Sequence, residues 1–174
     1  LIASNSDAAI QVHGGWKDTQ DWGTLEIRGD IHYLSASHAY RYIPLVAGGW
    51  GTNNWLRGAL QKGIARNVKV DVYGPLKEFP YHKSTNPDYI FRIAGDIEGV
   101  KLDFLPSMKT DQDGQWLAGT WPWIDQIQGK VIFEGMGMQV FATSGRTQTG
   151  TVLQNVKAVI PSYSTPGVPL LISG

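Results

Sequence analysis

Thr24-Leu25-Glu26-Ile27-Arg28-Gly29-Asp30-Ile31-His32-Tyr33 is the stretch from which the rest of the chain is read. Apolar and charged residues alternate along it with the period of two that a β-strand imposes. Leu25, Ile27, Ile31 and Tyr33 therefore share one face, and Glu26, Arg28, Asp30 and His32 share the other. Gly29 stands in the middle and marks a candidate bulge, which would shift the parity and carry Asp30 and His32 to the opposite face. A segment rich in His and Tyr follows, then the glycine turn Gly48-Gly49-Trp50-Gly51. After it the spacing predicts one helix over residues 52–66. Leu56, Leu60 and Ile64 recur there at i, i+4 and i+8, with Trp55 and Ala59 beside them. Gly58 and Gly63 each cost such a helix about 1 kcal/mol relative to Ala, so tertiary contacts must hold it.

Outward from this stretch the pattern is of strands. Residues 1–9 read as an arm, and Ile10–His13 as a short strand stopped by Gly14-Gly15. Trp16 and Trp22 flank a polar turn, and Ala39–Ile43 reads as a strand ending at Pro44. Val68–Tyr73 alternates cleanly, while Tyr89–Ala94 and Val100–Leu105 form an expected hairpin. Further strands are expected over Trp116–Trp121, Lys130–Ala142 and Thr149–Ile160. The tail Pro161–Gly174 holds three prolines and should be extended, its apolar end needing a groove or an edge to lie against. The expected fold is one mainly β domain over 1–174, an antiparallel β-barrel or β-sandwich with one helix.

Composition narrows the function classes. Fifteen basic residues balance fifteen acidic ones, so no global field favours nucleic acid, and none is expected as a partner. The charged fraction, 17%, lies below the roughly 25% of ordinary soluble domains. A sparsely charged surface suits stacking contacts, carbohydrate, or packing against other copies of the chain. The absence of cysteine excludes disulfides, thiolate metal sites and a cysteine nucleophile. No apolar run approaches the ~18–20 residues of a membrane span. The chain begins at Leu1 without Met, as a processed mature protein or a trimmed piece would, and it has no Asn-x-Ser/Thr sequon. The compartment stays open, with the extracellular side favoured.

Two sets of residues are candidates for a site. Glu26, Arg28, Asp30 and His32 place a carboxylate beside each base on one strand face. Inside a barrel, His32 held by Asp30 or Glu26 would be an acid/base group and Arg28 would be free for an oxyanion. On the outside of a sheet the same residues are an ordinary solvated face. The second set is aromatic: Tyr40, Trp50, Trp55, Trp116, Trp121 and Trp123, candidates for binding a ligand by stacking. Trp16 and Trp22 are further candidates for exposed stacking surfaces. His13, His32 and His38 match no ligand motif, and neither a metal nor another cofactor is expected. Asp111-Gln112-Asp113-Gly114 lacks the later ligands of a calcium loop and reads as a hairpin turn.

Two segments resemble known barrels. Ile43-Pro44-Leu45-Val46-Ala47-Gly48-Gly49-Trp50-Gly51 resembles the glycine turn of dirigent and allene-oxide-cyclase barrels, departing from it at Trp50, where those families place Thr. Asp113-Gly114, Gly119-Thr120-Trp121-Pro122 and Phe133-Glu134-Gly135-Met136-Gly137 resemble segments of lipocalin-like barrels. Both resemblances imply a β-barrel around an apolar ligand, and neither carries a catalytic residue over. The leading expectation is binding of a small apolar or sugar-like ligand in an aromatic-lined barrel cavity, with isomerase or cyclase chemistry left open. The alternatives are a carbohydrate-binding module using surface Trp and a self-assembling subunit of a capsid, tube or filament. A homo-oligomer belongs to the last.

Overall fold

The structure, a computed structural model, describes residues 1–19, 22–42, 53–81, 86–107, 109, 111–113, 117, 119, 121–162 and 169–174. Nine strands run through them: β1 (Ile2–Ser4), β2 (Ala8–Lys17), β3 (Thr24–Ser35), β4 (Leu60–Pro75), β5 (Ile90–Leu102), β6 (Ile124–Glu134), β7 (Gly137–Thr147), β8 (Val152–Ile160) and β9 (Leu171–Ser173). They form one antiparallel sheet whose spatial order is the chain order, so each strand pairs with its predecessor and its successor. The mainly β, antiparallel expectation holds. β1 and β9 stand at opposite edges, so the sheet does not close into a barrel, and among the described residues no second sheet packs on it.

Gly29 is not a bulge. It pairs in unbroken register with Val12 on one side and Val70 on the other. A Cβ there would lie 2.3 Å from the Gln11 carbonyl oxygen and 2.6 Å from the Val12 Cα, so the glycine serves the close approach of β2. Register slips elsewhere, between Ala9 and Ile10 on β2, between Arg66 and Lys69 on β4, and between Asp125 and Gln128 on β6. Asn67 and Gln126, at φ 52° and 55°, take the left-handed backbone at the latter two. Asn and Asp tolerate that conformation best among non-glycine residues, and the Asn67 amide is held by the Asp96 carboxylate at 3.0 Å.

Several element boundaries differ from the expectation. Residues 53–59 are helical, but Leu60 already begins β4. The helix cannot continue through Gly63, which has φ 105° and whose Cβ would meet the Val100 Cα at 2.5 Å. Ala36–Arg41 is a 3-10 helix where a strand over Ala39–Ile43 was expected. The expected hairpin from Tyr89 to Leu105 is instead the single strand β5. Conversely, Lys130–Ala142 folds back at Gly135 and Met136 to give parts of β6 and β7. The apolar end of the tail lies on the β8 edge as β9, and Ile2–Ser4 lies on β2 as β1.

Among the described residues few side chains are fully buried. The main buried cluster, Ala36, Val100 and Ile127, sits at one end of the sheet, packed with Leu60, Leu102 and Ile124. Leu56 and Ala59 of the helical segment are buried as well. At the opposite end Tyr81 is buried, with its ring 5.5 Å from that of Phe79 and 5.6 Å from that of Tyr89. Among the described residues no helix is long and apolar enough to cross a membrane.

Candidate functional site

Strand register places the side chains in rows that run across the sheet. One row joins Val12, Gly29, Val70, Ile93, Phe133 and Met138 and ends at Ile160. The next joins Ile10, Ile31 and Val68 on one half of the sheet. On the other half it joins Gly95, Val131, Val140, Ala158 and Ile172. A third joins Gly14, Ile27, Val72 and Phe91. These rows share one face and contain no charged side chain. Val68 and Val72 are buried, but Val12, Ile27, Ile31, Val70, Ile93, Val131, Phe133 and Val140 are only half-buried. A sheet face that packs on a second layer loses nearly all its exposure. Here the neighbouring residues of the same face shield one another, and no second sheet exists among the described residues.

The other face carries the charges. Glu26, Arg28, Asp30 and His32 all lie on it, because β3 keeps its parity through Gly29. Arg28 pairs with Asp71 at 3.3 Å, both about half exposed, and Asp30 accepts a hydrogen bond from the Lys69 ammonium. That hydrogen bond, opposed by some desolvation, holds the Asp30 carboxyl below the ordinary carboxylate range. Further along, Lys130 lies 3.7 Å from Asp96. His13 stands opposite Arg28. Cross-strand pairs of this kind keep an antiparallel face wetted.

The aromatic set is dispersed. Tyr40 lies on the 3-10 helix with the guanidinium groups of Arg41 and Arg57 at 5.7 and 5.0 Å from its ring. The Trp55 indole N–H donates to the Phe104 carbonyl at 3.1 Å. Trp123 lies under the Lys101 ammonium at 4.5 Å, and Trp121 is 61% exposed. Trp50 and Trp116 lie outside the described residues, as does the turn Ile43–Gly51 that resembled dirigent barrels. A hollow of about 280 Å³ lies at the β6–β7 turn, lined by residues including Tyr81, Met136, Met138 and Ile160, and by none of the expected site residues. Burial pushes the Tyr81 phenol up to about 12, with Glu78 and Tyr89 adding to the shift. Among the described residues no group of three or more His, Cys, Asp or Glu could hold a metal ion.

A model of the YhdP protein family matches residues 3–174. The chain belongs to the YhdP family. A curated relative, the intermembrane phospholipid transporter YhdP of Escherichia coli (strain K12), is 27% identical over 159 residues, which is 90% of this chain and 11% of the relative. The chain thus spans about a ninth of the length of the curated relative it matches. No solved structure matches.

These findings correct the functional expectations. Family membership replaces the sugar-like or apolar ligand in a barrel cavity, the carbohydrate-binding module and the self-assembling subunit. Carbohydrate and a homo-oligomeric copy give way with them as expected partners. The sheet geometry removes the basis of the cavity, since an open nine-stranded sheet encloses no barrel lumen. The surface that stands out in the sheet, the apolar rows, contains none of the residues expected to form a site. Their sequence signal is the alternation of Leu25, Ile27 and Ile31, which fixes a common face but not what covers it.

Proposed function

We propose that this chain is a lipid-handling segment in which the apolar face of the sheet carries the acyl chains of phospholipids. The observation behind this reading is a set of uncharged rows of half-buried aliphatic and aromatic side chains on one face, with no second sheet upon it among the described residues. A large contiguous apolar surface marks an interaction site. An acyl chain is the ligand that such a face suits, because each methylene removed from water contributes about 0.8 kcal/mol and no directional partner is required. The relative, an intermembrane phospholipid transporter, favours phospholipid over other apolar ligands. The opposite face, with its Arg28–Asp71 and Asp30–Lys69 pairs, keeps that side of the sheet in water.

The test is uptake of dispersed short-chain phosphatidylcholine followed by native mass spectrometry. Discrete lipid-bound species that disappear when residues of the apolar rows are made polar are the expected result. A chain that remains lipid-free at every lipid concentration overturns the reading.

A further inference from the structure

The β2–β3 hairpin ends in two tryptophans whose exposure no packing requirement explains. Trp16 is 56% and Trp22 is 72% exposed, although Trp is among the more deeply buried residue types on average. Given about 150–250 Å² for a tryptophan side chain, the two rings present roughly 200–300 Å² of indole to solvent. The pair is held in place. The Trp16 indole N–H donates to the Trp22 carbonyl at 2.9 Å, and the Trp16 ring lies so close over Gly23 that a Cβ there would fall 2.4 Å from Nε1. Trp22 itself takes the left-handed backbone, φ 76°, at the turn. With its N–H satisfied inside the hairpin, Trp16 turns an apolar ring outward. Its register partner is Leu25, so it continues the apolar face toward that end of the sheet.

An exposed indole pair at the end of an apolar face suits a particular environment. Tryptophan partitions to the boundary between headgroups and acyl chains, where an amphipathic ring finds both polar and apolar neighbours. Charge narrows the kind of surface. Between the two tryptophans the sequence carries Lys17, Asp18 and Asp21, a net charge of about −1 that offers no attraction to an anionic leaflet. The surface that fits is zwitterionic, and the contact is apolar rather than electrostatic.

We propose that the tip of the β2–β3 hairpin docks on a zwitterionic phospholipid bilayer, seating Trp16 and Trp22 in the headgroup–acyl boundary and bringing that end of the apolar face against the membrane. This rests on the reading that the face carries acyl chains. It adds the place at which the face meets a bilayer.

The experiment is flotation of the chain with phosphatidylcholine vesicles at low and high salt. The wild-type chain should float at both, and the Trp16→Ala/Trp22→Ala variant should partition about tenfold or more weakly. Trp22→Asn guards against a hairpin that fails to fold, because Asn tolerates the left-handed backbone and a side chain 72% exposed is lost without a cavity. It should show an intermediate loss while retaining uptake of dispersed short-chain phosphatidylcholine. Val152→Ser, which removes an apolar side chain 55% exposed at the far end of the sheet, should float like wild type. Equal flotation of the double variant and wild type overturns the proposal. So does flotation that requires anionic lipid and vanishes at high salt. A wild-type chain that takes up dispersed lipid but never floats refutes the docking tip alone; one that takes up no dispersed lipid refutes the underlying lipid reading.

Discussion

Val70→Asp and Asp71→Ala alter adjacent residues on opposite faces of β4, and the account assigns them opposite consequences. Val70 is half-buried between Gly29 and Ile93 on the apolar face. Full burial of a valine side chain contributes about 1.5–3 kcal/mol, so a half-buried one loses about 1 kcal/mol. The poor fit of Asp to a strand adds up to about 1 kcal/mol. Unfolding free energy should therefore fall by about 1–2 kcal/mol. The about 3–5 kcal/mol penalty of an unpaired buried charge does not apply, because an open face leaves the carboxylate access to water. Lipid binding should suffer more. A hydrated carboxylate that denies contact to three methylenes removes about 2.4 kcal/mol, or roughly 50-fold in affinity. Asp71→Ala removes only the exposed pair with Arg28. It should change stability by less than about 0.5 kcal/mol and leave lipid affinity unchanged. Urea unfolding measures the first quantity and titration with a fluorescent phospholipid the second. If Val70→Asp binds lipid within about threefold of wild type, or Asp71→Ala loses as much as Val70→Asp, the assignment of the two faces is wrong.

Two further predictions concern the fold that holds the face in place. Asp103 is 1% exposed; its Oδ2 accepts the Gly119 N–H at 3.0 Å, and its own N–H donates to the Ala59 carbonyl at 2.8 Å. Asp103→Ala leaves the Gly119 N–H without its acceptor and should cost about 1–3 kcal/mol, read as a lower urea midpoint; an unchanged midpoint contradicts the role. Asp30, with its folded pKa lowered by Lys69, contributes stability that is present above the unfolded carboxylate pKa and is lost as pH falls through the folded value. Asp30→Asn should therefore shallow the acid side of the stability–pH profile while leaving the shape above neutrality unchanged, and an identical acid slope in both proteins would show that the pair is inert.

The alternation of β3 made its two faces legible, and the charged residues do share one side. What alternation cannot report is what lies over the other side. Half-buried and fully buried strands carry the same aliphatic residues, so the apolar row of β3 fitted a closed core as well as an open face. Glycine accounts for two of the boundary differences. Gly14-Gly15 reads as a stop and Gly95, between Ala94 and Val100, as part of the turn of the expected hairpin, yet each lies inside a long strand. A Cβ on Gly95 would come within 2.6 Å of Val68 Cγ2, so close approach between strands explains that residue better than a turn does. The helix overran for a different reason. Leu56, Leu60 and Ile64 are four apart, a spacing that satisfies both the helical repeat and a strand's period of two. The distinction between barrel and open sheet depends on whether the edge strands pair, which is a long-range fact with no local residue signature.

The central claim is that phospholipid touches the apolar face and leaves the charged face alone. Site-specific photocrosslinking tests it most directly, with a photoreactive side chain placed in turn at Ile27, Val70 and Val140 and at their neighbours Glu26, Asp71 and Gln139. The account predicts phospholipid adducts at the first three positions and none above background at the second three. Adducts distributed evenly over both faces, or confined to the charged one, would contradict it.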